Sequence, residues 1–418
     1  MLPVKHKIMS MMPISWKKKN KNLKPAVILN SIEAIRTVSP EGRISFSGFE
    51  LDDALPALQS MLEFPPAAID VDKSVLVWKA LSSITTKLTP ATFESAINTV
   101  FTAQNATIDS DYHILTSVSF NPNGLNRRTT IDGSTIRLLD TEFPKKYGSN
   151  RIEAITRAKI PVDPTPKGYT RGIIHVRAKN PYGAITKALR TIDLQRAILC
   201  LLCNYRMEYR GIEWIPINVV RLGGCHTVHY PDGKMAAETV WFEPNYTEAP
   251  IYRPAQGSVL QKNLSNCLRR LFKSNYAAQL SDALLRYVRA LDERDQNNAF
   301  IKLWGAVEAL TSPGEAKYDL VIRRCSFLYR DTLYHRQILE HLRECRNQSV
   351  HAGDQSDSAK IHCYQLQTYF YSLVFFHLAN VHEFASLDEA NQFLDLPTDK
   401  DTLLKQKRMR LKALRFVS

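Results

Sequence analysis

A chain of 418 residues is long for a single hydrophobic core, so two or three domains are expected. With 44% hydrophobic and 23% charged residues it is neither disordered nor collagen-like, and no apolar run approaches the ~20 residues that cross a bilayer. The net charge of +14 is concentrated at the two ends, which fits either a polyanionic partner or solubilising tails.

Residues 1–24 carry seven lysines and no acid and read as a flexible basic arm, with Lys17, Lys18 and Lys19 as candidate RNA-phosphate contacts. The arm lacks an apolar stretch ahead of a small-residue cleavage site, so a secretory signal is not expected. Residues 25–168 read as a mixed α/β region. Helical spacing marks 28–35, 51–62 and 91–101, while short apolar alternations at 44–46 and 114–120 suggest strands. Residues 121–168 are rich in Asn, Gly, Pro and Thr and contain the cluster Asn126-Arg127-Arg128. They read as loop with room for one short strand.

Residues 169–245 form a strand-helix-strands pattern, which can also be taken as one domain with the preceding region. A strand at 172–177 and a turn at 180–183 lead into a long helix at 184–205, followed by strands at 214–220, 227–230 and 239–242. Pro231-Asp232-Gly233 supplies the turn between the last two. Pro244, Pro250, Pro254 and Gly257 mark 246–257 as a linker and the main domain boundary. From 258 to 385 the pattern is helical almost throughout, with six apolar-periodic segments joined by short loops, as in a helical bundle. Residues 386–418 read as a basic tail with seven basic residues from Lys400 on, among them Arg408 and Arg410, candidate RNA contacts. Its apolar residues recur at helical spacing, so it either docks on the protein's own core or lies on a membrane surface. The fold class is thus α+β overall, a mixed N-terminal region followed by an all-α bundle. Seven cysteines without a framework suggest reduced thiols and a cytoplasmic protein.

One segment of the bundle carries chemistry: Arg346-Asn347-Gln348-Ser349-Val350-His351. A histidine titrating near neutrality can take the proton of a ribose 2′-hydroxyl and return one to a departing 5′-oxygen. An arginine fork can bind the scissile phosphate and stabilise the charge that grows on it. Asn347 can hold either group in register. Because attack needs a 2′-hydroxyl, the substrate would be RNA. Five residues on a helix separate the pair by about 140°, so the two share a face only if the helix ends or loosens between them. Gly353 is placed to end the helix with His351 in its last turn, and Ser356 and Asp357 offer caps for the next one. No metal-ligand cage is read near this segment, and no cofactor is expected.

Together with Phe300-Ile-Lys-Leu-Trp-Gly-Ala-Val-Glu-Ala-Leu310 upstream and the long aromatic helix downstream, this segment resembles the Apea-like branch of the HEPN superfamily. That family shows an arginine, a polar residue, three further residues and His-x-Gly at the end of a helix. The resemblance covers roughly 258–385. It implies a homodimer through the helical bundle, in which two Arg/His sets face each other and cleave single-stranded RNA without metal. It assigns Arg346 and His351 as the catalytic pair, Asn347 as its polar companion and Glu308 as a supporting acid. It further implies a toxin or anti-phage effector, with the N-terminal region sensing a phage or host trigger or an antitoxin protein.

Two other readings compete. The bundle can be a catalytically silent scaffold for RNA binding or dimerisation, or the function can lie in an N-terminal sensor. Cys200, Cys203, Cys225, His226 and His229 have a zinc-like look, but the first two lie on an apolar helix stripe where cysteines pack as small hydrophobes. Arg269-Arg270 and Arg323-Arg324 read as solvated helix faces, and the aromatic residues of 364–376 as bundle core or dimer interface.

Overall fold

The computed structural model describes residues 12–18, 22–48, 50–159, 166–204, 216–243, 245–314, 318–351 and 356–417, with His351 described by its backbone alone. The fold is mixed α+β, and the chain divides into two compact units, Met1–His113 with His175–Ala188, and Ile114–Ile174 with Leu189–Ser418. Among the described residues no helix is long and apolar enough to cross a membrane.

The first unit is built mainly of helices α1 (Pro25–Ala34), α2 (Glu50–Ser60), α3 (Lys73–Leu81) and α4 (Pro90–Ala106). Two small antiparallel pairs accompany them: β1 (Ser15–Trp16) with β4 (Leu62–Glu63), and β2 (Arg36–Val38) with β3 (Ile44–Phe46). Leu29, Ile32, Leu58, Phe93, Ile97 and Phe101 form its core. Part of the expected basic arm belongs to this core. Ile14 is fully buried, Asn98 of α4 hydrogen-bonds both its N–H and its carbonyl at 2.8 Å, and Trp16 packs 5.6 Å from Phe93. Two apolar side chains inside the lysine run dock it, so the segment around β1 is not a free arm.

The second unit carries most of a six-stranded sheet ordered β10-β9-β5-β8-β7-β6. Its strands are β5 (Ser110–Val118), β6 (Arg128–Ile131), β7 (Ser134–Leu139), β8 (Thr170–Ala178), β9 (Cys225–His229) and β10 (Trp241–Phe242), with α5 (Lys145–Ala158) and α6 (Pro181–Cys203) alongside in sequence. The expected strand at 172–177 and helix at 184–205 appear with small shifts. Residues 121–168 are not one loop: they hold β6, β7 and α5. The signal was Asp132-Gly133, whose backbones both adopt positive φ (46° and 73°), the conformation of a two-residue hairpin turn that an Asp-Gly pair favours. No strand occurs over the described residues 216–220 of the expected 214–220 strand.

The helices that follow are α7 (Gly257–Lys273), α8 (Ala277–Ala290), α9 (Gln296–Thr311), α10 (Tyr318–Ser326), α11 (Thr332–His351), α12 (Ala359–Ala379), α13 (Leu387–Leu394) and α14 (Lys400–Val417). α9 is the central helix: Phe300, Leu303, Trp304, Val307 and Leu310 are all buried, and it packs against α8, α10, α11 and α12. The segment 246–257 is not a free linker. Tyr169 and Ala249 exchange two hydrogen bonds, of 3.2 and 2.8 Å, and Tyr252 bonds backbone to backbone with Ser119 and Asn121. The chain parts elsewhere because buried polar contacts tie the sheet to the helices within this unit. The expected tail 386–418 is also divided: Leu387, Ala390 and Leu394 of α13 are buried, whereas α14 has no buried residue. α14 therefore does not dock on the core.

Candidate functional site

α11 is started by Asp331, whose carboxylate accepts the backbone N–H of Tyr334 at 3.1 Å, and is seated by Leu339 and Leu342, both fully buried. The helix runs unbroken through His351, so the expected loosening between Arg346 and His351 does not occur. In one chain the two positions stay about 140° apart around the helix and about 7.5 Å apart along its axis. The side chain of His351, and Gly353, lie outside the described residues. α12 starts with Ser358 as its flanking residue and no side-chain cap; the Ser356 hydroxyl accepts from the Ser358 N–H at 3.1 Å.

Arg346 is half-buried. Its guanidinium lies 4.9 Å over the Tyr318 ring, and Nη1 donates to Asn347 Oδ1 at 3.3 Å, while Nε has no partner among the described residues. A ring face and a neutral amide orient the group without neutralising it. Arg343, one turn earlier, contrasts with it: its two terminal nitrogens meet Asp319 at 3.0 Å and Glu340 at 2.8 Å. Among the described residues no carboxylate pairs with Arg346, so its charge is available to an anion. Asn347, the next residue, is half-buried and makes this one hydrogen bond to Arg346.

Glu308 is elsewhere. Its carboxylate accepts the Trp304 indole N–H at 2.9 Å and lines an open groove of about 550 Å³ with Asp282, Arg286, Gly305, Ser312 and Gly314. No hydrogen bond or ion pair joins it to Arg346 among the described residues. Lys17 and Lys18 are exposed at the edge of the first unit, Lys19 lies outside the described residues, and Arg408 and Arg410 are exposed on α14. Among the described residues, no recorded hydrogen bond, ion pair or ring contact joins Lys17, Lys18, Arg408 or Arg410 to Arg346.

A cluster that spacing did not reveal sits one turn before Arg346. His341 and Cys345, four apart on α11, meet His362 of α12, with one ligand atom from each lying within 4.8 Å of the others. The Cys345 sulfur is 3.7 Å from His341 Nε2 and 4.0 Å from His362 Nε2. Burial, and then the neighbouring His341, lower the pKa of His362. Burial raises that of the Cys345 thiol. No metal-ligating set is legible near this segment in the sequence, because the three side chains that could hold an ion are split between two helices.

The other zinc-like group does not assemble. The His226 ring nitrogens face Thr116 Oγ1 at 2.8 Å and Glu243 Oε2 at 3.4 Å, and His229 faces Gly233 O and Thr227 Oγ1, each at 3.0 Å. Cys200 donates to the Val220 carbonyl at 3.5 Å. Glu243 also pairs with Arg289, which reaches Asp193 at 2.5 Å, and Arg196 binds Asp193 and Asp292 at 2.7 and 2.8 Å. Burial works against the charge of Asp292, but Arg196 and Arg221 outweigh it and hold the carboxyl below its usual range. Arg323 is exposed, as a solvated face would be, but Arg324 is buried, and both bind Asp395 of the turn after α13. Tyr364, Tyr369 and Phe370 are core, while Phe375 and Phe376 are half-buried.

No family model, curated protein or solved structure matches the chain.

Proposed function

We propose that the chain is a metal-independent endoribonuclease of HEPN type that cuts single-stranded RNA. The carrying observation is Arg346: a half-buried guanidinium, oriented by Tyr318 and Asn347 near the end of α11, with no carboxylate partner among the described residues. Such a group is a phosphate ligand in waiting. The unbroken helix keeps positions 346 and 351 about 140° apart, which supports an active form in which two copies pair and both bring groups to one phosphodiester. In this reading the active form is a homodimer.

In that dimer one His351 takes the proton of the 2′-hydroxyl, and the 2′-oxygen bonds to phosphorus. The bond to the 5′-oxygen breaks, and the second His351 protonates the leaving oxygen. Arg346 stabilises the charge on the non-bridging oxygens. The products are a 2′,3′-cyclic phosphate and a 5′-hydroxyl. Exposed Arg408 and Arg410 on α14, and Lys17 and Lys18, add long-range attraction to RNA. The first unit supplies sensing or regulation, with a phage or host trigger or an antitoxin as its partner, and the setting is a cytoplasmic toxin or defence effector.

The test is cleavage of single-stranded RNA by purified protein in EDTA. Cutting is expected, and His351→Ala should abolish it while the dimer and the Tm are preserved. Cutting that needs added magnesium or manganese, or survives His351→Ala, contradicts the reading. RNA binding without cutting, unchanged by His351→Ala, identifies a silent scaffold instead.

A further inference from the structure

We propose that His341, Cys345 and His362 bind one zinc ion, which ties α11 to α12 immediately before the Arg346 turn and leaves a fourth position to water or a further donor. The claim stands whether or not the chain cuts RNA, because neither Arg346 nor His351 is among its ligands.

Geometry carries it. Residues four apart on a helix lie above one another on one face, so α11 offers an imidazole and a thiol side by side, and α12 brings His362 against them. Tetrahedral zinc, with bonds of about 2.0 Å to nitrogen and 2.3 Å to sulfur, sets its sulfur and nitrogen ligands roughly 3.6 Å apart. The Cys345 sulfur lies 3.7 and 3.8 Å from the two ring nitrogens of His341 and 4.0 Å from His362 Nε2, each within tenths of an ångström of that spacing, and the three ligand atoms lie within 4.8 Å of one another. The two imidazole rings are edge to face with centroids 5.4 Å apart, which leaves room for an ion between ring edges and sulfur.

The donors select the metal. One thiolate and two imidazoles suit zinc and exclude magnesium and calcium, which demand oxygen ligands. Cys345 is set apart from the other six cysteines, all of which are buried. Exposure grades across the site: His341 is exposed, Cys345 intermediate and His362 buried. An ion can therefore enter from solvent and rest on an inner ligand held by Phe300, whose ring is 5.5 Å from that of His362. Binding converts the Cys345 thiol to a thiolate and releases one proton, so affinity rises with pH. The ion would close a ring of chain from Cys345 to His362 and hold the end of α11 against α12 through the helix connection.

The test uses the full chain, stripped by chelator and titrated with Co²⁺ as a spectroscopic stand-in and then with Zn²⁺. One Co²⁺ per chain is expected, with a thiolate-to-cobalt charge-transfer band in the near ultraviolet and intense visible bands of a tetrahedral ion. Zn²⁺ should displace it and raise the wild-type Tm by a few degrees. Cys345→Ser should lose the charge-transfer band, and His341→Ala should weaken binding at least tenfold. His341 is exposed, so that variant should melt in chelator where the wild type does. A charge-transfer band that persists in Cys345→Ser, a stoichiometry far below one, or a zinc-induced Tm rise shared by both variants overturns the proposal. Restored stability with no RNA cutting supports this site and counts against the nuclease reading alone.

Discussion

The second unit holds two clusters in which histidine meets charged or metal-ligating groups, and they differ in what each leaves unsatisfied. In the sheet-side cluster, His226, Glu243, Arg289, Asp193, Arg196 and Asp292 form a chain of contacts in which carboxylates meet guanidinium or imidazole groups, and Asn218 adds a bond of 2.8 Å to Asp292. Five of the six are buried, the exception being the half-buried Arg289, so the network can hold the sheet to the helices but has no capacity for a ligand. At the end of α11, Arg346 has no carboxylate among the described residues, and His341, Cys345 and His362 face one another without an ion pair. Both clusters are rich in titratable groups. Burial with saturated partners marks structure, and partial exposure with spare valence marks chemistry.

The comparison breaks most visibly through Asp292→Ala, which takes one of two carboxylates from Arg196 in a dry site and leaves it Asp193, itself shared with Arg289. A loss of about 3–5 kcal/mol is expected in urea unfolding. A change below about 1 kcal/mol would mean the network is not what joins sheet to helices. Next in size, Arg346→Ala should lower RNA cleavage about 10²–10³-fold. Its Tm should stay near the wild type's, since a functional guanidinium contributes little to the fold. A large Tm loss with unchanged cleavage would place Arg346 with the structural cluster.

A buried histidine outside both clusters supplies a pH signature. His377 of α12 is fully buried, lies 3.0 Å from the Tyr276 hydroxyl, and has its pKa lowered by burial to about 4. The unfolded chain, titrating near 6.5, takes up the proton first. Stability is therefore complete above about pH 6.5 and declines as pH falls towards 4, by up to about 3 kcal/mol. His377→Gln should flatten this slope in acid unfolding curves, and an unchanged slope would assign it to other groups. The smallest effect belongs to Arg343→Ala, which removes two partly exposed ion pairs and should change stability by less than about 1 kcal/mol and cleavage hardly at all. If it matched Arg346→Ala in activity, the distinction drawn between paired and unpaired arginines on α11 would fail.

The helices of the second unit were legible because each buries one face, and a face leaves a 3.6-residue period that survives without knowledge of its neighbours. Leu260, Leu264 and Leu271 in α7, or Leu280, Leu284 and Tyr287 in α8, are such runs. What escaped depended on distant partners or on turn chemistry. The hairpin at Asp132-Gly133 was written in two residues, and α5 was obscured because Arg151 occupies a core position and bonds to Thr227 at 2.8 Å. The division of the chain near 113 and 188 is discontinuous, so no local change in composition announces it. At the site, Arg346 and Asn347 could be named from sequence. The pair His341 and Cys345 was present as a four-residue spacing, but His362 joins it only once α12 has folded back on α11.

The most direct test of the central claim is the chemistry of the RNA ends. RNA cut by the wild-type protein should carry 2′,3′-cyclic phosphate and 5′-hydroxyl termini, because the attacking group is the neighbouring 2′-oxygen. Products with 3′-hydroxyl and 5′-phosphate ends would show that water attacks instead, and that result would contradict the roles given to Arg346 and His351.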